Sequence, residues 1–263
     1  MRAWLGLLTA AALASLATLC ASGASGAFGA PATAEHRLNI GETYEFNLEY
    51  IGMNAGSAVI EVKGVETYEG KKVYHLVSTA KSNRVISMVY KVDDKVESFI
   101  DVNGFFSRKL VKSIREGKYS QDITIYFDQE KNKVREGDKT YDVPRGVQDI
   151  LSAFFHFKVQ KLDVGRDYFI DVYAEGSVWK LQVQTVKRER IRTPAGEFIT
   201  LKVKPFMKFE TIFKQQGDVD IWVTDDARHV PVLMRSKVVI GSVSAVLVKL
   251  KKGKPYDENK TGR

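Results

Sequence analysis

Val143-Pro-Arg-Gly-Val-Gln-Asp-Ile-Leu-Ser-Ala-Phe-Phe-His-Phe-Lys-Val159 sets the architecture of this sequence, because it alone repeats at a helical period. At about 100° per residue, Ile150, Leu151, Ala153, Phe154, Phe155 and Phe157 cover more than half of the circumference. Ser152, His156 and Gln160 recur every fourth residue as a narrow polar stripe. A helix patterned in this way is enclosed rather than laid on a surface. Asp149 is placed to cap its first turn, and Pro144 with Gly146 keeps it from starting earlier. Burying Leu151, Phe154, Phe155 and Phe157 at about 1.5–3 kcal/mol each makes this helix a large part of what closes the core.

On both sides of the helix the sequence is written as strands. Gly41 to Tyr50 places Tyr44, Phe46, Leu48 and Tyr50 on one face and Thr43, Glu45, Asn47 and Glu49 on the other, the pattern of a half-buried strand. Gly52 to Gly56 reads as a turn. Ser57 to Lys63 with Lys72 to Ala80, and Met88 to Val92 with Lys95 to Asp101, read as hairpins turning at Glu69-Gly70 and Asp93-Asp94. Phe106 to Ile114, Asp122 to Phe127 and Asn132 to Arg135 bring the meander to the helix. It resumes through Asp167 to Ala174, Val178 to Arg190, Phe198 to Pro205, Gly217 to Thr224, His229 to Lys237 and Ser242 to Leu250. Roughly a dozen short strands around one helix predict an all-β fold, an antiparallel, strongly curled sheet or half-barrel wrapped around a central helix. With no Pro-, Ser- or Gly-rich linker and no solenoid repeat, residues 35–253 are expected to form a single domain followed by a basic polar tail, 254–263.

The amino terminus is a separate matter. Met1-Arg2, the apolar run Ala3 to Leu19 and the small residues Ala21 to Ala34 read as a secretory signal peptide, residues 1–34, with cleavage between 24 and 34. Its removal leaves no transmembrane span, so the protein is expected in the periplasm. Cys20, the one cysteine, stands where a lipoprotein signal would place its lipidated residue, but the large Leu19 before it argues against that modification. Without Cys20 the chain has no disulfide, thiolate nucleophile or cysteine-bound metal to draw on.

The formal net charge is +8 and the pI near 9.3. Basic residues gather at Arg108, Lys109, Lys112, Arg115 and Lys118, at Lys187, Arg188, Arg190 and Arg192, and at Lys249, Lys251, Lys252 and Lys254. For an exported chain the anionic neighbours are phospholipid, lipopolysaccharide phosphate and wall polymer rather than nucleic acid. Paired with intervening Asp and Glu, the same residues would simply be solvated strand faces.

Two stretches stand out as candidate binding elements. In Val243 to Leu250, Val243, Ala245 and Leu247 are expected to face one way and Val246, Val248 and Leu250 the other, so both faces are apolar. In Pro205 to Phe213, Phe206, Met207, Phe209, Ile212 and Phe213 alternate with Lys204, Lys208 and Lys214. Together with Phe154 and Phe157 of the helix, Phe206, Met207, Phe209, Phe213, Val243 and Leu247 make a candidate cavity or lip, and Lys204, Lys208 and Lys214 a candidate seat for an anionic head group. The plainer reading is a long β arm whose alternate residues are core.

Signals for catalysis are weak. Nucleophile elbow, P-loop, dinucleotide fingerprint and metal-binding helix are absent from the sequence. His36, His75, His156 and His229 share no metal-ligand spacing, and His156, on the polar stripe, reads as a hydrogen-bonded structural histidine. Asp93-Asp94 and Asp225-Asp226 fall at expected turns. Asp218, Asp220 and Trp222 share a strand face, as in carbohydrate sites, although a solvated face is the better explanation. No enzyme activity, metal or cofactor is expected.

Three stretches in combination resemble a known family. Gly41 to Gly56 with its Tyr44, Gly52 and Ala55-Gly56, the helix start Val147-Gln-Asp-Ile-Leu-Ser-Ala-Phe154, and Thr193-Pro-Ala-Gly-Glu-Phe198 with Trp222-Val-Thr-Asp-Asp-Ala-Arg-His-Val-Pro231 are similar to the Gram-negative envelope proteins gathered as domain-of-unknown-function family 3108. The likeness runs over nearly all of Ile40 to Leu250, and His156 departs from it where an aromatic residue is usual. It implies export and a curled antiparallel sheet embracing a helix, loosely like periplasmic lipoprotein carriers and lipocalin-like containers, and it supplies no catalytic residues. The expected function is therefore non-enzymatic binding of an amphipathic envelope component, lipid or lipopolysaccharide-like, in the half-barrel. The alternative is a structural or chaperone-like module that meets an envelope protein or cell-wall partner through strand edges or a basic face.

Overall fold

The computed structural model describes residues 38–207, 219–237 and 241–257. The expected signal segment therefore lies outside the described residues, as do Lys208, Phe209, Phe213, Lys214 and Asp218. The strands are β1 (Asn39–Tyr50), β2 (Met53–Tyr68), β3 (Lys71–Ser82), β4 (Asp93–Asp101), β5 (Ser107–Glu116), β6 (Tyr119–Asp128), β7 (Lys133–Glu136) and β8 (Lys139–Asp142), then β9 (Asp167–Ala174), β10 (Ser177–Thr193), β11 (Gly196–Met207), β12 (Val219–Thr224), β13 (Pro231–Lys237) and β14 (Ser242–Pro255). Two helices accompany them, α1 (Arg84–Ser87) and α2 (Ile150–Lys158).

All fourteen strands belong to one antiparallel sheet in the order β8-β7-β6-β5-β4-β3-β2-β1-β14-β13-β12-β11-β10-β9. Each half is a meander of neighbours in sequence, and the halves are zipped together by β1 and β14 from Asn39↔Pro255 to Tyr50↔Val243. The sheet is not closed, since no ladder joins β8 to β9, but it curls until these edges meet. Tyr173 on β9 donates from its hydroxyl to Glu136 Oε2 on β7 at 2.6 Å, and the Tyr141 and Tyr173 rings stand 5.6 Å apart. Gln148, just before α2, bridges to Val172 and so covers part of the β9 edge. The linker from β8 to β9 thus carries α2 into the curl, where Ile150, Leu151, Phe154, Phe155 and Phe157 join one core with side chains from both halves.

Burial follows the predicted alternation in β1, where Tyr44, Phe46 and Leu48 are buried between half-buried neighbours. Five expectations need correction. Met88 to Val92 is not a strand, because Asn83 accepts a hydrogen bond from Ile86 N and nucleates α1, leaving Val92 a single bridge to Glu116. Asp93 and Asp94 consequently open β4 instead of turning a hairpin, and buried Asp94 accepts from Arg115 N at 2.8 Å. The turn expected over Gly52 to Gly56 occupies only Ile51 and Gly52. In β14 the register shifts between Glu45 and Phe46, which pair with Lys249 and Leu247 and skip Val248; this bulge turns Leu250 back toward the core beside Tyr44. The strand is therefore less two-faced than its sequence suggests. It also runs on to Pro255, and Tyr256 meets Tyr74 edge-on at 5.9 Å, so the expected tail begins later than residue 254.

Candidate functional site

The two ends of α2 carry buried polar clusters. At its start Asp149 accepts from Leu151 N and Ser152 N through Oδ1, as the cap expected of it, and from Ser98 Oγ and Ser107 Oγ through Oδ2 at 2.6 and 2.5 Å. Burial pushes this carboxyl up, opposed by the hydrogen bonds from Ser107 and Ser98. At the other end Lys158 is 4% exposed, lies over the Tyr44 ring, bonds the Tyr44 hydroxyl and pairs with Glu42 at 3.6 Å. Burial lowers its ammonium to about 8 against the pull of Glu42. The same burial, together with Glu42, raises the Tyr44 hydroxyl. His229 Nδ1 meets the Lys158 carbonyl at 2.7 Å. These groups clamp α2 between β4–β5 and β1.

Between those clamps α2 leaves a small cleft. Ile150, Ala153, Phe154 and Phe157 form one wall, and Leu181, Val183, Val203, Pro205 and Ile221 of β10, β11 and β12 the other, around a cavity of about 30 Å³. Its lining is wholly apolar. Of the residues singled out from the sequence, Phe154 and Phe157 belong to this cleft, whereas Val243 and Leu247 are fully buried in the main core and do not line it. Strand alternation puts Lys204 and the half-buried Phe206 on the face of β11 opposite Val203 and Pro205. Lys204 pairs there with Asp220 at 3.4 Å, so it does not stand with the two phenylalanines. Met207 ends β11.

The remaining polar candidates are tied to neighbours. Trp222 is buried, donates from Nε1 to Glu189 Oε1 at 2.7 Å and lies under Lys202, which pairs with Asp220. Its ring is not offered to a sugar. The first basic cluster is split, with Arg108 buried against Asp101 and Glu130 and Lys112 inside the curl, where burial lowers its ammonium. The second is surface-paired, Lys187 with Glu189, Arg188 with Asp225, and Arg190 and Arg192 with Glu197. His75 sits between Glu66 at 2.7 Å and Glu97 at 2.9 Å, and the His156 ring tilts against Phe105. Among the described residues no three His, Cys, Asp or Glu side chains are grouped to hold a metal ion. No described helix is long and apolar enough to cross a membrane. Lys158 could have been foreseen as buried, since it lies seven residues after Leu151 and four after Phe154 on the apolar arc.

A family model described as a protein of unknown function, DUF3108, matches residues 44–248. No curated protein matches the chain. Among solved structures, a β-barrel-like protein of domain of unknown function DUF1849 from Brucella abortus is similar with a TM-score of 0.54 at 14% identity, over 84% of this chain and 100% of that one. A candidate exported protein with YmcC-like fold from Bacteroides fragilis aligns at a TM-score of 0.38 and 15% identity, over 82% and 98% of the two chains. The likeness to the Brucella protein supports the β-barrel-like architecture of the curled sheet.

Proposed function

The chain belongs to the DUF3108 family of proteins of unknown function, and from that premise we propose that it is an exported, non-enzymatic cell-envelope protein that binds an amphipathic envelope component, lipid or lipopolysaccharide-like. The apolar cleft between α2 and β10–β12 is the observation that carries this reading, because nine apolar residues and no charged one line it. It takes the hydrocarbon part of the ligand. At about 30 Å³ the cleft has about a tenth of the ~300 Å³ at which small-molecule pockets begin. Admitting an acyl chain therefore requires Phe154 or Phe157 to rotate out. Asp149 and Lys158, the buried charged groups at the ends of α2, are engaged with Ser98, Ser107, Tyr44 and Glu42, which favours a structural role for them over catalysis.

A second reading is favoured by Val243 and Leu247, which are 2% and 0% exposed and face packed core. A curl filled by its own side chains suits a structural module that meets a protein or wall partner from outside. Titration with a fluorescent fatty-acyl probe separates the two. Ligand binding at the cleft expects saturable uptake by the wild type, stronger in Phe154→Ala, which enlarges the space, and weaker in Ala153→Val, which fills it. If the wild type takes up no probe and the variants change only the melting temperature, the structural-module reading replaces it.

A further inference from the structure

Ten large apolar side chains stand exposed among the described residues, and six of them, Ile51, Met53, Val85, Met88, Val89 and Tyr119, collect at one end of the sheet. That end is built from the β1–β2 turn, α1 with the segment after it, and the β5–β6 turn. These parts are held together, since Asn83 N and Nδ2 donate to Ala55 O and Asn54 O, and Gly117 N donates to Lys91 O at 2.7 Å. Met88 is 76% and Val89 90% exposed, more than any other of the ten. Ile51 is costly twice over. It occupies the first position of a two-residue turn at φ 49°, followed by Gly52 at φ 74°, where Asn or Gly would be unstrained, and its side chain is largely in solvent.

Beside this apolar rim lies a groove of about 420 Å³ lined by Lys91, Asp93, Arg115, Lys118, Tyr119 and Ser120. Asp93 is paired with Lys81 at 3.2 Å and Arg115 with Asp122 at 2.7 Å. Lys91, Lys118 and the nearby Arg84 form no ion pair among the described residues and are exposed. Exposed apolar tips, a tyrosine at their border and unneutralised cations are the elements by which proteins sit in the head-group region of a membrane. We propose that this end of the sheet docks on an anionic phospholipid bilayer, with Met88, Val89 and the Ile51–Met53 tip entering the acyl boundary and Lys91 and Lys118 of the groove taking a lipid phosphate. The docking surface is separate from the cleft beside α2 and does not depend on it.

The test places an environment-sensitive dye at Val89→Cys, and as control at Ile199→Cys on the opposite end of the sheet, in full-length chains that carry Cys20→Ser. With phosphatidylglycerol vesicles the dye at position 89 should shift to the blue and the dye at 199 should not, and phosphatidylcholine vesicles should produce neither response. Lys91→Glu with Lys118→Glu should weaken the response about tenfold or more, and salt should do the same. Met88→Ser with Val89→Ser should lower co-sedimentation with the vesicles while leaving the far-ultraviolet dichroism melt unchanged. Equal responses at 89 and 199, or none at either, overturn the proposal. So does a lipid-free dimer that the Met88→Ser, Val89→Ser chain loses, because the rim would then be covered by a second copy. Uptake of the acyl probe at the cleft is measured on the same proteins without vesicles, so either result can fail alone.

Discussion

Lys158 is the residue whose surroundings differ most from those its chemistry prefers. Its ammonium is buried beside Glu42 and Tyr44 and held at about 8, below the ordinary 10.5. Between those two values the unfolded chain binds a proton that the folded chain has given up, so stability rises with pH across the window and is lost as pH falls through 8. Tyr44 acts in the reverse sense above its ordinary 10.0, because the folded chain keeps a proton that the unfolded one releases. The melting temperature of the wild type should therefore climb from pH 8 toward 10 and then turn over. Lys158→Met combined with Glu42→Gln should remove the climb without unfolding the protein, since a buried ion pair exchanged for less polar groups is often near neutral. A flat wild-type profile over this range would show Lys158 fully charged in place. The helical period already set Lys158 among Leu151 and Phe154, but no rule of spacing reveals that Glu42, more than a hundred residues earlier, is its counter-ion. That pairing exists only once β1 crosses the end of α2.

At the scale of elements, α2 was readable because several local signals agree on it. Its cap, its apolar arc and its polar stripe all lie within a dozen residues, and Asp149 caps it as expected. Asp149→Ala should cost about 2–4 kcal/mol, from a lost cap and from the buried Ser98 hydroxyl left without its acceptor, Ser107 still having Ser152 Oγ within reach. Denaturant titration measures this, and a change below about 1 kcal/mol would mean that relief of the buried charge outweighs both losses. Met88 to Val92 was not readable, because its β-forming side chains argue for a strand while Asn83, five residues earlier, nucleates a helix. The bulge at Val248 was equally hidden, since a shift of register is a property of the pair β1–β14 and not of either strand. The candidate site was legible only in its helical wall. Phe154 and Phe157 could be named from the period of α2, but the opposing wall depends on which face of β10–β12 turns inward, and Lys204 fell on the other one.

For the whole molecule, the sheet order means that a chain stopped after Lys237 should fail to reach the native state, because it leaves β1 and β13 without the strand between them. Hydrogen exchange would detect this, and protected amides throughout β1–β8 in the shortened chain would show instead that each meander folds alone. The pairing of β1 with β14 joins remote residues such as Glu45 and Lys249, which meet side chain to side chain across 204 positions. Contacts so remote in sequence are closed late and slowly. On the ribosome, the first strand of the domain meets β2 at once but must wait until nearly all of the chain has been synthesised before its second neighbour exists. A polypeptide ordered in this way can pair each half strand by strand while it is being made, but it completes its centre only after the final strand has been delivered.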